Sequence, residues 1–299
     1  MPKVSVILPV YNVGPYLEEA LQSLCSQTLS DIEIIAVNDG STDNSEEILR
    51  KFQQHDSRIS CYSQPNRGQS AARNAALSHA QGDYIYFIDS DDVLAPDALR
   101  QCYDYITRTH ADFIFFDGDM MLDEGATAPA WDYRRTHLFE EDTKYDGENL
   151  LRQMLAHRKY SCVVWLLFIR KAFLDRIRLS FLEGIIHEDE LFTTILMLSS
   201  RSVCCLQRSF VRHRIRRSST MGISFSQRNL NCYLTVADRL LRFRQSPIVH
   251  DYLRYTLSKV FYTGHLIPFH EKPAVFWRAL RSGYLKYIGL KSSLVFWLK

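Results

Sequence analysis

The stretch YIYFIDSDD, residues 84–92, joins an apolar run to three aspartates. The run from Tyr84 to Ile88 is typical of a buried strand, and Asp89, Asp91 and Asp92 follow at its carboxyl end. Carboxylates this close repel one another, so the cluster requires a positive partner. Because ligands of an open parallel sheet gather at the carboxyl ends of its strands, the stretch also predicts where a site would lie.

Strand and helix patterns alternate around this stretch, which predicts an α/β fold with a mostly parallel central sheet and a helical C-terminal region. The predicted strands are 4–8, 32–37, 59–62, 84–88, 111–116, 163–169, 203–207 and 210–215. One predicted helix begins at Gly14-Pro15 and a second begins near Asp43. The other predicted helices are 69–80, 96–109 and 147–157, one from about Glu188, and several beyond Phe225. Residues 119–146 are predicted to form a long loop or a small hairpin, which is often a functional feature.

These patterns predict two units. Residues 1–220 would form an α/β domain with two halves, at about 1–118 and about 119–220. Residues 221–299 would form a basic helical region. Charge is also unevenly distributed, since residues 1–200 contain 18 Lys and Arg against 31 Asp and Glu, whereas residues 201–299 contain 18 against three, and we expect these two parts to meet different partners.

Composition indicates a globular protein, with 46% apolar and 12% aromatic residues in 299. The seven cysteines form no C-x-x-C pair, which favours reduced packing thiols over zinc ligands or disulfides. The N-terminus has no signal-peptide pattern, and the longest apolar run, 162–169, is too short to cross a bilayer. We therefore expect a cytoplasmic protein.

Three predicted strand ends converge on one crevice and carry Tyr11, Asp39 and the aspartate cluster. A ring for stacking and an acceptor for a base N–H suit a nucleobase. The sequence contains neither G-x-G-x-x-G nor a P-loop, so a diphosphate would require a metal and Arg or Lys side chains.

Asp89 and Asp91 could supply a divalent cation, Mg²⁺ or Mn²⁺, with oxygen ligands. The alternative is that Asp91 and Asp92 cap the helix predicted near Pro96. The position at a strand end, together with Asp39, favours the metal, and we assign Asp92 as the cap.

The sequence resembles the inverting family 2 glycosyltransferases, which have the GT-A fold. The resemblance is an ordered series of motifs over about residues 3–100: SVILPVYN (5–12), SQT (26–28), VNDGSTD (37–43), NRG (66–68), SAARN (70–74) and GD (82–83) leading into FIDSDD (87–92). A thinner continuation to about 220 includes Trp165, Arg170, EG (183–184), HEDE (187–190) and RIR (214–216).

The resemblance implies that residues 1–220 are a GT-A glycosyltransferase domain, with a nucleotide-binding half at about 1–118 and an acceptor-side half at about 119–220. It also implies roles for individual residues. Pro9 and Tyr11 would line the base pocket, Asp39 would hold the uracil imide, and Arg73 would lie near the diphosphate. Asp89 would reach the ribose or the water shell of the metal, and Asp91 would bind the metal. Without the motif, Arg73 would be interpreted as an ordinary surface cation.

The resemblance also places the catalytic base in HEDE, at Asp189, with Glu188 and His187 as secondary candidates. An inverting transfer needs one carboxylate to deprotonate the incoming hydroxyl and a cation for the departing diphosphate. The alternative is that these acidic residues only complement the dipole at a helix N-terminus. Arg214, also a secondary candidate, lies in the basic segment 212–217, which is either a cationic lid over the diphosphate or a solvated strand edge.

The implied activity is transfer of a single hexose or N-acetylhexosamine from a UDP-sugar to a glycan or lipid-linked glycan, in cell-surface polysaccharide or lipopolysaccharide assembly. The alternatives are a nucleotidyltransferase and a non-catalytic nucleotide-sugar or carbohydrate binder. The basic, aromatic-rich tail predicts peripheral contact with the anionic inner face of the plasma membrane, although packing on the catalytic domain would also explain its aromatics. A nucleic-acid patch would have a similar composition, but we expect no nucleic-acid partner.

Overall fold

A computed structural model of the chain describes residues 1–129, 131–216 and 225–298. Within these residues there are eight strands: β1 (Val4–Val10), β2 (Ile32–Asn38), β3 (Ile59–Ser63), β4 (Tyr84–Phe87), β5 (Val93–Leu94), β6 (Phe113–Leu122), β7 (Leu167–Arg170) and β8 (Val203–Ile215). The same residues form eleven α-helices: α1 (Gly14–Cys25), α2 (Ser45–His55), α3 (Gln69–His79), α4 (Ala98–Thr109), α5 (Gly147–Ala156), α6 (Lys171–Ile177), α7 (Glu188–Ser199), α8 (Gln227–Phe243), α9 (Pro247–Thr263), α10 (Lys272–Arg281) and α11 (Leu290–Leu298).

The strands form one sheet in the order β3-β2-β1-β4-β7-β6-β8-β5. The first four are parallel neighbours, as their apolar runs predict, and Val10 of β1 lies beside Asn38 of β2. This register brings the carboxyl ends of β1, β2 and β4 to one edge of the sheet.

The second half of the sheet is mixed. β7 is antiparallel to both β4 and β6, β8 is parallel to β6, and the two-residue β5 is antiparallel to β8. The prediction of two strands at 203–207 and 210–215 is wrong, because β8 is one strand with register shifts opposite 115–118. β6 extends into the predicted loop as far as Leu122, and residues 164–166 of the predicted strand 163–169 are a 3₁₀ helix.

Two hydrophobic cores cover the two faces of the sheet, as strand alternation requires. Ile7 of β1 belongs to one core, and its neighbours Val6 and Leu8 belong to the other. The C-terminal helices extend the first core, which also includes Leu234 of α8 and Phe261 of α9. The aromatic side chains of the tail at 284, 287 and 296 are buried, so packing accounts for these rings.

All seven cysteines are free thiols, in agreement with the prediction. None of the helices in the described part of the chain combines the length and the apolar character needed to cross a membrane.

Candidate active site

The three predicted strand ends meet at one edge of the sheet. The Asp39 amide donates a hydrogen bond to the carbonyl of Val10 at 2.8 Å, and the Ile88 amide donates to Ile7 at 3.2 Å. These bonds continue the ladder beyond the strands, so Tyr11, Asp39 and Asp89 follow neighbouring strands into a common crevice.

Asp39 is buried at the end of β2 and faces the N-terminus of α3. Its Oδ1 accepts from the Gln64 Nε2 at 2.7 Å and the Arg67 amide at 2.9 Å, and its Oδ2 accepts from the Gly68 amide at 2.8 Å. A carboxylate has about four acceptor positions, so these three bonds leave Oδ2 able to accept one more N–H.

Tyr11 and Pro9 occupy the end of β1. Pro9 is buried within the strand, whereas the Tyr11 side chain is 48% exposed. Asn12 adopts a left-handed conformation with φ 49°, and its Oδ1 accepts from the Thr42 amide at 2.7 Å. This bond ties the loop after β1 to the loop after β2 and fixes the base of the exposed ring.

Arg73 of α3 is buried, with only 2% of its surface exposed, and contacts three carboxylates. Its Nη2 donates to the Asp89 Oδ1 at 2.9 Å, and its Nη1 donates to the Glu188 Oε1 at 3.0 Å and the Asp189 Oδ1 at 2.7 Å. The guanidinium carbon lies 5.1 Å from the centre of the Phe181 ring. Arg73 therefore links the end of β4 to the first turn of α7, which the sequence separates by about a hundred residues.

The electrostatics of this cluster favour a proton acceptor at Asp189. Burial raises the pKa of the Asp189 carboxyl to about 7, with Glu188 and Asp89 acting in the same direction and Arg73 in the opposite one. Burial likewise opposes the charge of Arg73, but the three carboxylates raise its pKa above the usual arginine value. A carboxyl with a pKa near neutrality is suited to accepting a proton at physiological pH.

Asp91 and Asp92 each have a separate cationic partner. Asp91 lies 2.6 Å from an Arg216 nitrogen, and Asp92 lies 2.9 Å from the His213 Nδ1. Asp92 also accepts from the Arg214 amide at 2.9 Å. The prediction that Asp92 caps the following helix is wrong, because α4 begins only at Ala98 and Asp92 is turned inward toward β8.

His213 is enclosed by aromatic rings and paired with Asp92. Its ring stacks on Trp165 at 4.9 Å and meets the edge of Tyr133 at 5.5 Å. Burial alone would lower the pKa of His213, but the hydrogen bond to Asp92 raises it above its ordinary value. Burial raises the pKa of Asp92 to about 7, while the hydrogen bond with His213 acts in the opposite direction.

A divalent cation fits the donors present at this edge. One ligand atom each from Asp89, Asp92 and His213 can be chosen so that all three lie within 4.8 Å of one another. Carboxylate oxygens with one imidazole suit Mn²⁺, whereas Mg²⁺ prefers oxygen ligands alone. The predicted ligand Asp91 adjoins this cluster, and its carboxylate is held by Arg216.

Arg214 contacts the backbone of the aspartate cluster and two further carboxylates. Its Nε donates to the Asp91 carbonyl at 3.0 Å, its Nη1 donates to Asp123 at 2.8 Å, and its Nη2 donates to Glu19. The guanidinium also lies 4.9 Å from the centre of the Tyr16 ring. Arg214 is therefore neither a free lid cation nor a solvated edge residue, and the remainder of the predicted lid, Arg217 and 218–220, lies outside the described residues.

His187 and Glu190 turn away from the crevice toward the C-terminal helices. The His187 ring stacks on Tyr233 of α8 at 4.4 Å, and its Nε2 accepts from the Asn229 Nδ2 at 3.0 Å. Burial lowers the pKa of His187 to about 4, so this ring is neutral at physiological pH. The Tyr252 hydroxyl of α9 donates to Glu190 at 2.6 Å. The C-terminal region thus contacts the first turn of α7, which contains the candidate base Asp189.

Several of these contacts were not anticipated from the sequence, among them those of Asp92 with His213, Asp91 with Arg216 and Glu190 with Tyr252. The first depends on β5, which pairs Val93 with Arg212 and so places Asp92 beside His213. A two-residue strand has no detectable periodicity, so no sequence signal marks this pairing. The alternating basic residues toward the end of β8 were the one sequence pattern that could have indicated a cation beside Asp91.

Comparison with known proteins identifies relatives of the chain. The family model described as "Glycosyl transferase family 2" matches residues 5–173. The uncharacterised glycosyltransferase YibD of Escherichia coli is 29% identical over 230 residues, which is 77% of this chain and 66% of that protein. The glycosyltransferase GlyA of Streptococcus pneumoniae is 33% identical over 219 residues, which is 73% of this chain and 31% of that protein. The chain thus spans less than two thirds of the length of both relatives.

A solved structure supports the fold. TarS residues 1–349 of S. aureus in complex with UDP-GlcNAc superimposes with a TM-score of 0.74 over 98% of this chain and 83% of that one, at 20% identity. The predicted GT-A type of α/β fold, with additional C-terminal helices, is therefore confirmed.

Proposed function

The chain belongs to glycosyl transferase family 2, and from this premise we propose that it transfers a single hexose or N-acetylhexosamine, with inversion, from a UDP-sugar to a glycan acceptor. The observation that carries the proposal is the contact of buried Arg73 with Asp89 on one side and with Glu188 and Asp189 on the other. It joins the nucleotide-binding edge of the sheet to a carboxyl whose pKa is near neutrality.

The donor would bind along the strand ends. The remaining acceptor position of the Asp39 carboxylate suits the imide N–H of uracil, and the exposed Tyr11 ring suits stacking on the base, with Pro9 beneath it. Asp89, beyond the uracil pocket, would accept from the ribose hydroxyls. The TarS structure, solved with UDP-GlcNAc, supports a uridine donor for this fold.

Transfer would proceed as one displacement at the anomeric carbon. The acceptor hydroxyl oxygen forms the new bond to this carbon, the bond from carbon to the diphosphate oxygen breaks, and the hydroxyl proton passes to the Asp189 carboxylate. UDP leaves with the bonding electrons. Arg73 orients Asp189 through the 2.7 Å contact and keeps part of the population ionised by opposing the effect of burial.

A divalent cation would be held by ligands from Asp89, Asp91, Asp92 and His213. When bound, such an ion neutralises negative charge on the leaving diphosphate. The mixed oxygen and imidazole donors lead us to propose Mn²⁺ ahead of Mg²⁺.

We further propose that the acceptor is a lipid-linked or surface-polysaccharide precursor, reached from the inner face of the plasma membrane. Residues 225–298 contain 11 Lys and Arg against three Asp and Glu. Leu290, Leu294 and Leu298 form one stripe along α11, and the first and last are 78% and 79% exposed. An exposed apolar stripe within a basic region fits an anionic lipid surface.

The activity is tested by UDP release from UDP-GlcNAc, UDP-glucose and UDP-galactose with Mn²⁺ or Mg²⁺. Asp189→Asn should bind the donor with unchanged affinity and lose transfer, because an amide cannot accept the proton. Asp91→Ala should lose the response to the metal. Full turnover by Asp189→Asn would remove this residue from the mechanism, and wild-type protein that releases UDP from no UDP-sugar, even with an acceptor library, would refute the function.

Membrane contact is tested by sedimentation with vesicles containing anionic phosphatidylglycerol. The double variant Leu290→Glu/Leu294→Glu should remain in the supernatant while the wild-type protein sediments. Leu122→Glu, which alters an exposed leucine outside the C-terminal region, serves as the matched control and should sediment like wild type. Equal sedimentation of all three proteins would contradict the membrane proposal.

A further inference from the structure

The segment between β6 and the 3₁₀ helix that begins at Thr136 carries an exposed tryptophan. Trp131 is 43% exposed, and two charged residues that follow it fix the segment to its surroundings. Asp132 lies 2.9 Å from the Lys159 Nζ, and Arg134 lies 2.7 Å from Asp119. The indole therefore stands on a segment anchored to β6 and to the region after α5.

A chain of ring contacts connects Trp131 to the aspartate cluster. The indole lies 4.9 Å from the Tyr133 ring at 78°, and Tyr133 lies 5.5 Å from the His213 ring. His213 in turn contacts Asp92 at 2.9 Å. Trp131 is thus no farther from His213 than these two ring distances combined, a span comparable with one or two sugar rings.

The geometry leaves part of the indole available to a ligand. A perpendicular contact between two rings engages at most one face of either ring, so Tyr133 leaves at least one face of Trp131 unengaged. The charged groups of Asp132, Arg134 and Lys159 lie on the same anchored segment or contact it. An apolar ring face with a few polar groups around it is the composition of a small-molecule site.

We propose that Trp131 is the stacking platform for a sugar ring of the acceptor glycan, an inference that rests on the proposed glycosyltransferase function. The C–H groups on one face of a pyranose are apolar and weakly positive, and they complement the negative face of an indole. The neighbouring charged side chains bind the equatorial hydroxyls. The donor diphosphate belongs to the aspartate cluster, so a platform two ring contacts farther out serves the acceptor and not the nucleotide.

The experiment compares Trp131→Ala and Trp131→Phe with the wild-type protein. Trp277→Ala is the matched control, because Trp277 is 58% exposed but lies on α10. Transfer from UDP-GlcNAc is measured with a panel of p-nitrophenyl glycosides and disaccharides as acceptors. Intrinsic fluorescence is recorded while the same sugars are titrated without donor, and far-UV circular dichroism checks that each variant is folded.

Trp131→Ala should raise the KM for the best acceptor by about tenfold, which corresponds to the loss of one good aromatic contact. Its KM for UDP-GlcNAc and its acceptor-independent UDP release should stay within about twofold of wild type. The acceptor KM of Trp131→Phe should lie between those of the wild-type protein and Trp131→Ala. The Trp277→Ala variant should match wild type, and the sugar-induced fluorescence change should disappear in Trp131→Phe.

Any of three results would contradict the proposed role of Trp131. These are an unchanged acceptor KM in Trp131→Ala, a parallel rise in donor and acceptor KM, and a fluorescence response that is independent of Trp131. Acceptor-independent UDP release by the wild-type protein reports on the proposed function alone, so the failure of one proposal is distinguishable from the failure of the other.

Discussion

Replacing Arg73 with methionine removes one buried guanidinium from among three carboxylates. Asp89, Glu188 and Asp189 lie 2.9, 3.0 and 2.7 Å from its nitrogens, and methionine is similar in length but cannot donate to any of them. Breaking a buried ion pair by removing one partner typically costs about 3–5 kcal/mol, because the remaining charge is buried without compensation. We expect the free energy of unfolding to fall by this amount near pH 8.

The effect should depend on pH, and its sign follows from Asp189. The pKa of this carboxyl is about 7 in the folded protein against an ordinary value of 3.8, a difference that corresponds to about 4 kcal/mol against the charged form. A group with a raised folded pKa contributes stability that is fully present below its unfolded pKa and is lost as the pH rises through 7. Without Arg73 this pKa rises further, so Arg73→Met should be destabilised less at pH 5, where the carboxyls take up protons.

The measurement is urea unfolding at pH 5 and pH 8, followed by tryptophan fluorescence with a common denaturant slope. Arg73→Lys should be intermediate, because a single ammonium cannot span three carboxylates in a fork. Arg67→Met removes an exposed ion pair with Glu183 and should cost no more than about 1 kcal/mol. Equal destabilisation of Arg73→Met at the two pH values, or a loss no larger than that of Arg67→Met, would refute this reasoning.

Three further predictions concern the other contacts of the site. The kcat/KM for transfer should fall as the pH is lowered through about 7, because Asp189 takes up a proton; a flat profile from pH 5.5 to 8 would exclude it as the base. Arg216→Gln should tighten Mn²⁺ binding in the absence of nucleotide, measured by electron paramagnetic resonance, because it frees the Asp91 carboxylate; weaker or unchanged binding would show that Arg216 does not compete with the ion. Tyr252→Phe should lower the free energy of unfolding by about 1–3 kcal/mol, because the partly buried Glu190 loses its donor at 2.6 Å, and unchanged urea stability would contradict this.

The sequence predicted the part of the fold that depends on local pattern. The parallel strands β1, β2 and β4 are mostly apolar runs, and the end of each run marks the edge where Tyr11, Asp39 and Asp89 meet. The start of α7 was likewise predicted, at about Glu188, because acidic residues precede a long apolar run. These features are local, so tertiary contacts change them little.

The partners of the acidic residues could not be predicted in the same way. Arg73 meets Glu188 over a separation of 115 residues, and Asp92 meets His213 over 121. Such pairs are fixed by the order of strands in the sheet and by the short β5, and neither leaves a periodic signal. The assignment of Asp92 as a helix cap failed for this reason, since a cap is the local explanation of an acidic residue before a helix.

The distribution of these partners also bears on how a metal would bind. Each carboxylate of the aspartate cluster already has its own cation, with Asp89 held by Arg73, Asp91 by Arg216 and Asp92 by His213. A divalent ion that binds here therefore replaces the ion pairs that these carboxylates already make. Its binding free energy from the protein alone is consequently small. The diphosphate of a bound donor would add negative charge that has no cation of its own, and the ion and the donor should consequently bind with positive coupling.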